Sequence, residues 1–167
     1  MSHIYDDKKY IKIVKHILKD KMFLKLKNMS HHGVSRFCHS IKVSYYSYKI
    51  AKFLRLDYKK VATGGLLHDF FLTDEGINFK DKIILSFTHS DVAAKNATKR
   101  FNISAMEKNI IESHMFPASL KAPRCLESWL VNFVDDVVAL GEHSVTFGYR
   151  VKLSVNLLIL VFLNLLR

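Results

Sequence analysis

The chain has 167 residues, 49% apolar and 25% charged, a balance that excludes a disordered tail or a fibrous repeat and points to a globular protein. Its two cysteines, Cys38 and Cys125, are too few for a disulfide framework and lack metal-site spacing, so both read as buried small side chains in a reducing cytoplasm. The net charge of +11 lies entirely in the first part of the chain: residues 1–60 hold 15 Lys/Arg against 4 Asp/Glu, and the remainder holds 11 of each. A solvated basic face explains this as well as an anionic partner does, whether nucleotide, nucleic acid or acidic membrane. No basic segment followed by an apolar core opens the chain, so no signal peptide is expected.

In chain order, residues 5–29 read as one amphipathic helix, with Ile11, Val14, Leu18, Met22 and Leu26 at helical spacing and lysines between them. Such a helix can lie on a membrane, but covering a core is the plainer expectation. Residues 28–33 form a turn carrying His31 and His32. Ser35 then caps a helix to about residue 56, in which His39 shares a face with Val43 and Tyr46. Asp57 caps a third helix expected over residues 58–71. Its Gly64 and Gly65 each cost up to about 1 kcal/mol against alanine, which close approach of a neighbouring helix would offset.

Residues 72–88 read as a polar connection that could cover a site. Within it, Asp74 is a candidate base or histidine partner, or simply an exposed loop carboxylate. A fourth helix starts at Thr88 or Ser90 and runs to about residue 101, with His89 pointing inward from its start. Ser104 and Glu107 make a capping box for a fifth, on which Met106, Ile110, Ile111 and His114 share the apolar face. Pro117 and Pro123 bracket a stiff loop. The sixth helix, residues 126–140, is apolar nearly all round and so expected to be buried, which makes Asp135 and Asp136 costly unless one binds a cation. Residues 153–166 are almost uniformly apolar, yet shorter than the 17 to 25 residues of a bilayer span. They are expected to dock on the core or on a second copy of the chain.

The densest chemistry is in Gly64-Gly65-Leu66-Leu67-His68-Asp69-Phe70-Phe71. Adjacent residues on a helix diverge by about 100°, so His68 and Asp69 do not form a pair on one face. At a helix end, however, both can grip one metal ion. Imidazole and carboxylate together suit zinc, manganese or iron better than calcium or magnesium. Taken alone, the pair is more simply a helix terminus, with His68 capping carbonyls and Asp69 opening a turn. Likewise His39 alone is most simply a hydrogen-bonded core residue.

The ordered series His39, His68-Asp69, His89, His114 and Asp135-Asp136 changes that weighing. With the text around it (His31-His32-Gly33, Ser44-Tyr45-Tyr46-Ser47-Tyr48, His114-Met115-Phe116-Pro117), the series resembles the HD-domain superfamily of metal-dependent phosphohydrolases, the short stand-alone bacterial HD hydrolases above all. The likeness spans about residues 29–140. It implies an all-α fold, a compact single-domain bundle of six or seven helices over residues 1–167. The parts would be a basic N-terminal helix (1–28), a metal-site core (29–141) and an apolar C-terminal helix (142–167). It also implies that His39, His68, Asp69 and Asp135 hold one metal ion and that Asp69 bridges to a second on His89 and His114. Asp135 is favoured over Asp136 because the superfamily's last ligand follows an apolar pair like Phe133-Val134.

The function so implied is hydrolysis of a phosphomonoester or phosphodiester by a metal-bound hydroxide, the substrate being a nucleotide or small phosphorylated metabolite. His68 and Asp69 would be catalytic, with Asp74 as base, and the cofactors one or two divalent ions among iron, manganese, zinc, cobalt and magnesium. Arg36 and Lys42 are candidates for substrate phosphate, since the chain has no phosphate-cradling glycine loop. The expected setting is cytoplasmic, with a homodimer through the C-terminal helix, and with neither nucleic acid nor membrane favoured. Two other readings stay open: an HD-type di-iron oxygenase, and a non-catalytic basic module binding RNA or an acidic partner.

Overall fold

The computed structural model describes residues 2–31, 34–72 and 79–142. Asp74, His32 and the apolar run 153–166 lie outside these residues. The described chain is all-α apart from a two-residue hairpin. Its eight α-helices are α1 (Ser2–Asp6), α2 (Lys8–Leu18), α3 (Lys21–Leu24), α4 (Arg36–Phe53), α5 (Tyr58–Leu67), α6 (Phe79–Phe101), α7 (Ala105–Ser113) and α8 (Leu126–Glu142). A 3-10 turn over Lys25–Asn28 follows α3. Strands β1 (Ser30–His31) and β2 (Val34–Ser35) pair antiparallel where the turn before α4 was expected.

The single N-terminal helix expected over residues 5–29 is in fact three, broken at two aspartates. Asp7 accepts hydrogen bonds from the N–H groups of Lys9 and Tyr10, and Asp20 from those of Met22 and Phe23. Each carboxylate restarts a helix by satisfying donors that have no partner inside it, which outweighs continuing the previous one. Asp20 is held further by Arg100 of α6, with N···O distances of 2.7 Å from Nε and from Nη2. Of the expected stripe, Val14 and Leu26 are fully buried, but Ile11, Leu18 and Met22 are only partly so, their neighbours Tyr10, Ile17 and Phe23 being buried instead.

The expected caps are observed. Ser35 caps α4, Asp57 caps α5, and Ser104 with Glu107 forms the full capping box of α7. Two boundaries differ. α5 stops at Leu67 rather than residue 71, because the N–H groups of Phe70 and Phe71 turn back to Leu67 and Asp69 instead of extending the helical ladder. α6 begins at Phe79, well before the expected Thr88, so much of the expected polar connection is helix. α8 is not buried all round either: Val137 is 44% exposed and Phe133 is partly so. Among the described residues, no helix is long and apolar enough to cross a membrane.

Helix α4 lies against both α5 and α8, and α5 packs on α7. The two glycines of α5 make this possible. A Cβ at Gly65 would lie 3.2 Å from the Ser44 Cα of α4, and one at Gly64 would lie 2.8 Å from Ile110 Cγ2 of α7. The C-terminal end of α5, which carries His68 and Asp69, is thereby drawn between α4 and α7.

Gly64→Ala tests this directly. Helix propensity alone favours alanine by about 1 kcal/mol, whereas overpacking against the buried Ile110 costs about 1–3 kcal/mol. The expected net outcome is a lower Tm, measured by circular dichroism. A Tm above that of the unmodified protein would show that α5 and α7 are not in close contact.

Candidate metal centre

His68 and His114 reach the site by the same local device. Each is the first residue past a helix, α5 and α7 respectively, and each turns its ring back on the carbonyl three residues earlier. His68 Nδ1 donates to Gly65 O and His114 Nδ1 to Ile111 O, both at 2.7 Å. Helix ends leave carbonyls without a partner in the helix, so this bond satisfies one of them. It also fixes the tautomer: with the proton on Nδ1, Nε2 is left bare and faces inward.

The bare nitrogens converge on carboxylates. His68 Nε2 lies 3.5 Å from Asp135 Oδ1 and 3.8 Å from Asp69 Oδ2. It is fully buried and has no hydrogen-bond partner among the described residues. His114 Nε2 lies 3.7 Å from Asp69 Oδ1 and 3.2 Å from His89 Nε2, which is itself 3.5 Å from Asp69 Oδ1. The two oxygens of Asp69 are therefore turned to different imidazoles, Oδ2 to His68 and Oδ1 to His89 and His114. In the first turn of α4, His39 sets Nε2 against Asp135 Oδ1 and Nδ1 against Glu142 Oε2, each at 2.8 Å.

Three sets of donors lie with their ligand atoms within 4.8 Å of one another: His39, His68 and Asp69; His68, His114 and Asp135; Asp69, His89 and His114. Metal–ligand bonds of about 2.0–2.2 Å place opposite ligands about 4.2 Å apart, so only modest tightening is needed around an ion. The Nε2 of His68, buried among carboxylates and without a hydrogen bond among the described residues, fits a cation that completes the cluster. All six residues expected as ligands, His39, His68, Asp69, His89, His114 and Asp135, are brought together. Asp136 is also buried but belongs to none of the three sets.

Electrostatics follow from this arrangement. Burial disfavours a charged His39, yet hydrogen bonds to Asp135 and Glu142 outweigh it and raise the pKa to about 10. His68 is raised too, burial being overcome by the charges of Asp135 and Asp69. Asp135 is held well below the usual carboxylate range, since His68 and His39 more than offset its burial. His114 goes the other way, to about 3, through burial and then the neighbouring His68 and His89.

The two cations expected at substrate phosphate are engaged with acids of the site. Arg36 is buried, with Nη1 donating to Phe71 O at 2.8 Å, its guanidinium 3.7 Å from the centre of the Phe71 ring, and Nε 3.9 Å from Asp69 Oδ2. Lys42 Nζ lies 2.6 Å from Glu142 Oε1. Glu142 itself was not anticipated from the sequence. The available signal was its position seven residues after Asp135, two helical turns along the same face of α8.

With the proton on His39 retained below about pH 10, a metal ion has to displace it to reach Nε2. Adding Mn2+ or Zn2+ to metal-free protein at pH 7.5 is therefore expected to release protons, and apparent affinity to rise by about tenfold per pH unit for each proton displaced. Calorimetry in buffers of different ionisation enthalpy measures both. An affinity independent of pH between 6.5 and 9 would contradict a protonated His39.

Among known families, a model described as HD domain matches residues 36–140, more than half of the chain. No curated protein and no solved structure gives a significant match.

Proposed function

Because the chain belongs to the HD-domain family, we propose that it is a metal-dependent phosphohydrolase acting on a phosphomonoester or phosphodiester, most simply a nucleotide or small phosphorylated metabolite. The observation that carries this reading is Asp69, whose two oxygens face imidazoles of two separate donor sets. His39, His68, Asp69 and Asp135 would hold one divalent ion, and Asp69, His89 and His114 a second. Such ions supply Lewis acidity toward a phosphoryl oxygen and lower the pKa of water toward neutrality.

The chain's own residues do the rest. The carbonyls of Gly65 and Ile111 accept from Nδ1 of His68 and His114 and so aim the Nε2 of each ring inward. Arg36 steadies Asp69 from the side facing Phe71 and adds positive potential beside the site. Burial of His68, Asp69 and His114, each 2% exposed or less, keeps bulk water from screening these charges. The exposed lysines of the basic first 60 residues favour an anionic substrate through their field. Asp74 keeps its place here as the proton-accepting base, on sequence position alone.

The test is metal content by mass spectrometry on anaerobically purified protein, paired with hydrolysis of p-nitrophenyl phosphate and bis-p-nitrophenyl phosphate. Near two equivalents of a divalent transition metal and measurable hydrolysis are expected. In His68→Ala/Asp69→Ala, both should drop to background. Metal no higher than in that variant would sink the reading, and oxygen-dependent turnover without hydrolysis would replace it with an oxygenase.

A further inference from the structure

We propose that Glu142, clamped by Lys42, is a positioning residue for the metal centre: it fixes the tautomer and orientation of His39 and makes its inward-facing nitrogen a stronger donor. The inference rests on the reading above that His39 holds a metal ion.

The need for such a residue comes from where His39 sits. His68 and His114 follow the ends of their helices, where spare carbonyls accept their Nδ1 protons. His39 is inside α4, where backbone carbonyls are consumed by the helix itself, so its ring needs an acceptor from elsewhere. α8 provides it. Asp135 meets one ring nitrogen and Glu142, two turns further on, meets the other, each at 2.8 Å. One helix thus grips the imidazole from both sides.

Glu142 is built for this rather than for solvent. Its side chain is 5% exposed, and its second oxygen is tied to Lys42 Nζ at 2.6 Å. Because Lys42 lies on α4 one turn beyond His39, the clamp closes on the same helix that carries the ring. A carboxylate on the outer N–H of a metal-binding histidine raises the basicity of the inner nitrogen more than a carbonyl does, and losing such a partner commonly weakens metal binding 10- to 100-fold. His39 would accordingly be the strongest imidazole donor of the four.

The experiment uses the full chain and Co2+, followed by its visible absorption, in wild type, Glu142→Ala and Glu142→Gln. Glutamine keeps an oxygen able to accept from Nδ1–H while losing the charge, and it is the variant to rely on should Glu142→Ala fail to fold. The expected result is Co2+ affinity 10- to 100-fold weaker in Glu142→Ala, with Glu142→Gln between it and wild type. In zinc-loaded protein, 15N NMR should show a slowly exchanging His39 Nδ1–H that Glu142→Ala loses and Glu142→Gln retains, a signature that mere removal of a nearby negative charge would not produce. Wild-type affinity in both variants, or an unchanged Nδ1–H signal in Glu142→Ala, overturns the proposal while leaving the metal centre standing. Wild type that takes up no more Co2+ than His68→Ala/Asp69→Ala overturns the metal centre itself, and this proposal with it.

Discussion

Four imidazoles and two carboxylates converge within the fold around Asp69, and neutralising that cluster is the constraint that the surrounding structure answers. An ionised carboxylate taken out of water costs several kcal/mol unless it is paired, and Asp69 and Asp135 are both buried. Within the chain, the charge is offset by His39 and His68, whose charged forms the carboxylates favour, and by the Arg36 guanidinium. The arrangement holds only while α4, α5, α7 and α8 all deliver their side chains to one point. The glycine contacts of α5, the shared hydrogen bonds of α8 and the early end of α5 all serve that delivery.

The helix ends do much of this work. α5 and α7 each stop one residue before a histidine, and the carbonyl freed by stopping orients the ring. A second anchor acts on α7: Asn132 of α8 donates to His114 O at 2.6 Å and to Phe116 O at 2.9 Å, pinning the turn that carries the histidine. Asn132 lies one turn before Asp135, so the helix that presents one carboxylate also locks the opposite imidazole in place. The parts of the site thus hold one another in place.

Much of this was legible in the sequence, and the parts that were not have physical reasons. The ligand-type residues stood out by type and order, and the caps at Ser35, Asp57 and Ser104 by local chemistry that needs no tertiary contact. The breaks at Asp7 and Asp20 were hidden because apolar spacing runs on across them; only the carboxylate competing for backbone donors ends the helix. Periodicity could not separate Asp135 from Asp136, since both lie on buried faces of α8, and proximity to His39 and His68 is what distinguishes the first. Glu142 escaped notice because its partner is 103 residues earlier in the chain, and no local pattern marks a glutamate at a helix end as buried.

The charge asymmetry takes on a different meaning in the folded protein. As a sequence property, the excess of 15 Lys/Arg over 4 Asp/Glu in residues 1–60 suggested an outward-facing field. Two of those cations, Arg36 and Lys42, instead meet Asp69 and Glu142, which belong to the neutral remainder of the chain. Lys8, Lys9, Lys12, Lys15 and Lys19 stay exposed on and just after α2, away from these acids. The basic N-terminal region therefore divides into two physical roles. One part balances the buried carboxylates and so bears on how tightly the centre can hold a cation; the other remains in water, where its influence on an anionic ligand is screened beyond about 8–10 Å at physiological salt.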